Sequence, residues 1–169
     1  SGTTVLLLDA SASMNAADMP GGSSRFQVAQ AEALNIINSM SPGDELAIIR
    51  VGANAEPIAS ATSDQTALRA ALQSAQPGQS RADWETALTL AAAGAGGRDD
   101  FTILIVSDGG IDPDINLPQN LPAPVYVPIG QSSSNLALTA LATRAQPGEE
   151  LQLFARAENY GDAPADASV

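Results

Sequence analysis

Val5-Leu6-Leu7-Leu8-Asp9-Ala10-Ser11-Ala12-Ser13 runs from four apolar side chains into a carboxylate, then into two hydroxyls at alternate positions. An unbroken apolar run of this length predicts a strand buried on both faces, as in a parallel sheet. The polar group starts where that strand should stop. In open α/β sheets, ligands bind outside the carboxyl ends of the strands. Asp9, Ser11 and Ser13 are therefore candidate oxygen donors on one loop at such an edge. A donor set of oxygens alone suits Mg²⁺, Ca²⁺ or Mn²⁺. The same side chains can instead close a turn or cap the following helix.

Outward from this stretch the pattern is helix and strand in alternation. Phe26, Ala29, Ala33, Ile37 and Met40 recur at three- and four-residue steps and predict a helix over 25–40. The loop before it, residues 14–24, is polar and glycine-rich and is expected to be exposed. Ser41-Pro42-Gly43-Asp44 is a stop and turn. A second strand is expected over 45–51 and a short antiparallel edge strand over 52–58. Ser63 or Asp64 should cap a helix running to Ala75 with Leu68 and Leu72 inward. A further helix should start at or beside Asp83, bury Trp84, Leu88 and Ala91, and fray at Gly94, Gly96 and Gly97.

Residues 101–106 form the second clear buried strand, and it too runs into an acid, in Ser107-Asp108-Gly109-Gly110. A last strand is expected over 124–129, near an edge or short because of Pro124 and Pro128. The predicted class is α/β: a doubly wound, mostly parallel sheet flanked by helices, with one antiparallel edge strand. Loops after neighbouring parallel strands converge on one sheet edge. That geometry gathers Asp9, Ser11, Ser13 and Asp108 around one cation, with Asp83 close by.

Composition excludes much else. The chain has 169 residues, 44% of them hydrophobic, which suits one domain with a proper core. Seven basic residues against nineteen acidic ones give a net charge of −12. That argues against nucleic acid, which needs a basic footprint, and against direct contact with an anionic membrane. No apolar run nears the roughly 20 residues of a spanning helix. No signal-peptide pattern opens the stretch, and Ser1-Gly2 has the look of a tag remnant, which leaves room for an anchor or signal cut away upstream. There is no cysteine, no histidine and no lysine. Thiol chemistry, the usual general base, a histidine triad and Schiff-base chemistry are thereby removed. No Gly-x-x-x-x-Gly-Lys loop is present for a nucleotide.

Residues 5–13, Arg25 with its helix, Pro42-Gly43-Asp44, Thr62-Ser63-Asp64 and Val106-Ser107-Asp108-Gly109 together resemble a von Willebrand factor type A domain of bacterial type. The resemblance covers residues 3 to about 130. It implies a Rossmann-like fold and a metal-ion-dependent adhesion site, with Asp9-x-Ser11-x-Ser13 as its first loop and Asp108 as its distal aspartate. It further implies that the serines touch the cation directly and the aspartates directly or through water. A partner's Asp or Glu carboxylate then fills the remaining position.

One departure stands out. Where the family supplies a threonine from the middle loop, the matching position is Ala82, whose methyl group cannot ligate. Either Ser80 or Asp83 substitutes, or the site binds metal more weakly, or it has lost its metal role.

The expectation is a cation-dependent protein-binding module, not an enzyme, and extracytoplasmic or membrane-anchored through segments outside this stretch. The alternatives are a scaffold with a degenerate metal loop and, less favoured, a Mg²⁺-dependent hydrolase. Residues 1–135 are assigned to the type A-like domain. Residues 136–169 are either its last helix and strand or the start of a β-sandwich. Asp112 and Asp114 are read as a solvated loop or as negative charge at the rim.

Overall fold

A computed structural model describes residues 2–94, 98, 100–109, 111, 115, 116, 118 and 121–130. The readings of Gly96, Gly97, Asp112, Asp114 and residues 136–169 fall outside these.

Among the described residues, five strands make one sheet in the order β3-β2-β1-β4-β5. They are β1 (Thr3–Asp9), β2 (Glu45–Val51), β3 (Ala55–Thr62), β4 (Phe101–Ser107) and β5 (Val125–Pro128). β1 lies at the centre, parallel to β2 on one side and to β4 on the other. β5 is parallel to β4, and β3 is antiparallel to β2. This is the expected class.

The centre position explains the unbroken apolar run. Val5 and Leu7 point to one face of the sheet, Leu6 and Leu8 to the other, and all four are fully buried. Burying such side chains stabilises the fold by about 1.5–3 kcal/mol each.

Helices cover both faces. α1 (Arg25–Asn38) and α2 (Gln65–Ser74) pack on the side of Leu6 and Leu8. α3 (Trp84–Gly94) packs on the side of Val5 and Leu7. α1 begins at a capping box. Ser24 Oγ accepts from the Gln27 amide, and the Gln27 side chain accepts from the Ser24 amide. Phe26, Ala29, Ala33 and Ile37 form its buried stripe. Asp64 caps α2 by accepting from the Thr66 and Ala67 amides, which leaves Leu68 and Leu72 facing inward. Gln30 Nε2 of α1 donates to the carbonyls of Leu72 and Ala75, tying the two helices together.

Some boundaries differ from the sequence expectation. α1 stops at Asn38, where the Ser39 amide closes the last turn. Gly43, at φ 89°, then makes the turn into β2. The edge strand runs over Ala55–Thr62 rather than 52–58, because Gly52-Ala53-Asn54 is spent on the hairpin turn. Pro57 is tolerated there, since an edge strand has one unpaired side. The loop after β1 is not wholly exposed. It winds into a 3-10 turn (Ala12–Asn15) that buries Met14 completely among the α1-side core residues.

Candidate functional site

β1 is where the strand order reverses, with β2 to one side and β4 to the other. Such a switch point opens a crevice at the carboxyl ends of the strands. Asp9 is the last residue of β1, and Asp108 directly follows β4. Both are buried, at 0% and 3% exposure. Sequence spacing alone does not join them. The structure does so through Ser107, whose Oγ donates to Asp9 Oδ2 at 2.6 Å and accepts from the Gly109 amide at 3.0 Å. The other oxygen of Asp9 accepts from the Ser11 amide at 2.8 Å, turning the chain at the end of β1.

Burial pushes the Asp9 carboxyl above the usual carboxylate range. Hydrogen bonds from Ser107 and Ser11 pull it back in part, and the nearby charge of Asp108 raises it further.

Ser11 and Ser13 lie on the same loop with their hydroxyl oxygens 3.1 Å apart. Adjacent ligands on an octahedral Mg²⁺ at about 2.1 Å stand about 3.0 Å from each other. The pair thus has the separation of two neighbouring ligands, and it also has the separation of a hydrogen bond.

The middle loop is fastened to this first loop by its backbone. Ala12 N donates to Ser80 O at 2.9 Å, and Gly78 N donates to Ala10 O at 2.7 Å. Asn15 Nδ2 adds a bond to Gly78 O at 2.8 Å, and Arg50 Nε holds Gln76 O at 2.7 Å. Ser80 is exposed, and what it contributes to the contact is its carbonyl. Ala82 packs its methyl group against the α3-side core. Asp83 serves the helix: its Oδ1 accepts from the Thr86 amide at 3.1 Å, and its own amide donates to Gly52 O. Among the described residues, no three acids gather closely enough to hold a metal ion by themselves. The structure links Asp9 to Ser11, pairs Ser11 with Ser13, and ties Asp9 to Ser107, the neighbour of Asp108; it gives Asp83 a capping role at α3.

Sequence reasoning missed two further site residues besides Ser107. Arg25, the first residue of α1, donates from Nη1 to Asp108 Oδ2 at 2.9 Å. Its Nε and Nη2 grip Asp18 in the loop before α1. Asp18 is held below the usual carboxylate range, chiefly by that hydrogen bonding. The missed signal is scarcity: with seven basic residues against nineteen acidic ones, a buried acid has few cations to pair with.

Residues 4–110 match the family model of the von Willebrand factor type A domain. The chain belongs to that family. As a type A domain it superposes on solved structures of low sequence identity. The SpRpn10 VWA domain matches with a TM-score of 0.63 at 19% identity, covering 87% of this chain and 83% of that one. The conserved hypothetical protein BatB from Bacteroides thetaiotaomicron matches with a TM-score of 0.59 at 22% identity, covering 65% of this chain. This type A domain spans about half, 55%, of that BatB chain. The vWF domain of the type V pili tip protein Mfa5 from Porphyromonas gingivalis matches with a TM-score of 0.54 at 18% identity, covering 63% of this chain and 37% of that one. At such identities the likeness concerns the fold. No curated protein matches the chain. No described helix is long and apolar enough to cross a membrane.

Proposed function

We propose that this type A domain is a protein-binding module. In this reading its docking edge lies at the carboxyl ends of β1 and β4, and Mg²⁺, Mn²⁺ or Ca²⁺ completes that edge. The observation that carries the reading is that Asp9 and Asp108, at the ends of neighbouring strands, are both buried, while the loop that Asp9 opens carries the hydroxyl pair of Ser11 and Ser13. An all-oxygen set with two acids suits a hard divalent ion, and burial of both acids is costly without a positive charge nearby. Ser11 and Ser13 would bind the ion directly, with Asp9 and Asp108 supplying charge directly or through water. The ion's charge, left partly unneutralised, favours an anionic ligand group. The partner is accordingly a protein that presents an Asp or Glu side chain. The pili tip protein among the structural neighbours is consistent with an extracytoplasmic interaction role. The domain performs no catalysis in this reading.

A second reading has its own observations. Arg25 already supplies a positive charge to Asp108, and Ala82 offers no ligand atom. A scaffold that binds partners without a metal follows from these. Isothermal titration with Mn²⁺ and Mg²⁺ separates the two. Wild type should release or absorb heat at a single site, and a Ser11→Ala/Ser13→Ala double variant should not. Identical traces from the two proteins would favour the metal-free scaffold. The serines serve better than Asp9→Ala, which strands the buried Ser107 hydroxyl and so confounds binding with folding.

A further inference from the structure

Arg25 is held unequally by its two carboxylate partners. Nε and Nη2 make three bonds to Asp18, whose side chain is 50% exposed. Among the described contacts, Nη1 makes one bond to Asp108, whose side chain is 4% exposed. The fork-shaped guanidinium keeps one whole edge for Asp18, so it can leave Asp108 without losing its anchor. Its root is fixed as well, since Arg25 follows the Ser24 capping box directly. Gly130, at φ +74°, abuts the Arg25 side chain, and a Cβ there would stand 3.4 Å from Arg25 Nε.

We infer that Arg25 is a built-in rival of the divalent cation for Asp108. In the unloaded protein the guanidinium neutralises Asp108. On loading, Asp108 turns its charge to the ion and Arg25 remains with Asp18. Arg25 thereby sets the affinity of the site and keeps two adjacent buried carboxylates tolerable without an ion. This deepens the metal-dependent reading above and rests on it.

The test is Mn²⁺ titration of wild type, Arg25→Gln and Asp18→Asn, in low salt and again in 0.5 M salt (about a 4–5 Å screening length). Arg25→Gln should bind Mn²⁺ about tenfold more tightly, the worth of one charge-assisted hydrogen bond. The gain should persist in high salt, because the Arg25–Asp108 contact is largely shielded from solvent. A gain that vanishes in high salt would reduce Arg25 to a general field effect and overturn the rivalry. Asp18→Asn should weaken binding, since Arg25 is then left to Asp108 alone. Should Arg25→Gln fail to fold, an Asp18→Asn affinity equal to or above wild type overturns the inference by itself. If wild type binds Mn²⁺ and Arg25→Gln binds no more tightly, the rivalry falls and the metal-dependent reading stands. If neither binds, both fall. Binding by Arg25→Gln alone would support the rivalry in its strongest form.

Discussion

Ser107 Oγ and Asp9 Oδ2 lie 2.6 Å apart, and that bond ties the carboxyl end of β4 to the carboxyl end of β1. Both residues are fully buried. Ser107→Ala removes the donor and leaves a carboxylate oxygen without it. The expected loss of stability is about 1–3 kcal/mol. Urea denaturation at neutral pH checks this, and a loss below about 0.5 kcal/mol would mean that the bond is replaceable.

Gly78 is needed for the approach of the middle loop to the first loop. A Cβ at this position would stand 3.0 Å from Ala10 O, the same carbonyl that accepts the Gly78 amide. Gly78→Ala should therefore push the two loops apart at a cost of about 1–3 kcal/mol. Amide exchange at Ala12, whose partner is Ser80 O, should quicken more than exchange in the middle of α1. Equal protection in both proteins would show that the loop yields without separating.

Ser24→Ala should cost about 1 kcal/mol, the usual worth of an N-cap. The loss falls on the first turn of α1, which carries Arg25. Thermal melts compared with Ser74→Ala, an exposed hydroxyl at the end of α2, provide the check. Equal shifts in the two variants would count against the cap.

Asp44 gives a pH dependence of known sign. Its oxygens accept from the Gly2 and Ser41 amides, which hold the carboxyl below its ordinary value of 3.8. A carboxyl lowered in the folded state contributes stability above its unfolded pKa. That contribution drains away as pH falls through the carboxylate range toward the lower folded value. Asp44→Asn should therefore flatten the acid side of the stability profile. Urea midpoints from pH 5 down to pH 2.5 measure it, and parallel wild-type and variant profiles would remove Asp44 from the account.

The sequence was informative wherever a local pattern has one structural solution. The run from Val5 to Leu8 can be buried on both faces only in an interior strand, and the stripe from Phe26 to Ile37 has a helix period. The acid after each long apolar run marked where β1 and β4 stop. Met14 was not legible, because a lone apolar residue among polar neighbours has no periodicity. Its burial comes from a turn that the Asp9–Ser11 contact initiates. Arg25 was legible as a helix start but not as the partner of Asp108. That pairing spans 83 positions and depends on which helix end faces which strand end. Ser107 read as a strand terminus for the same reason: its role is set by a neighbouring strand far away in the chain.

The centre strand has a further consequence. Sliding an ordinary half-exposed strand by one place turns greasy side chains to water, and that mistake corrects itself. β1 is greasy on both sides, so a slip of Val5 to Leu8 would exchange one interior for the other with little change in hydrophobicity. What does change is the position of the acid that follows: a slip would carry Asp9 away from its hydroxyl partner on β4. The Asp9–Ser107 bond thus distinguishes the native register of β1 from a slipped one.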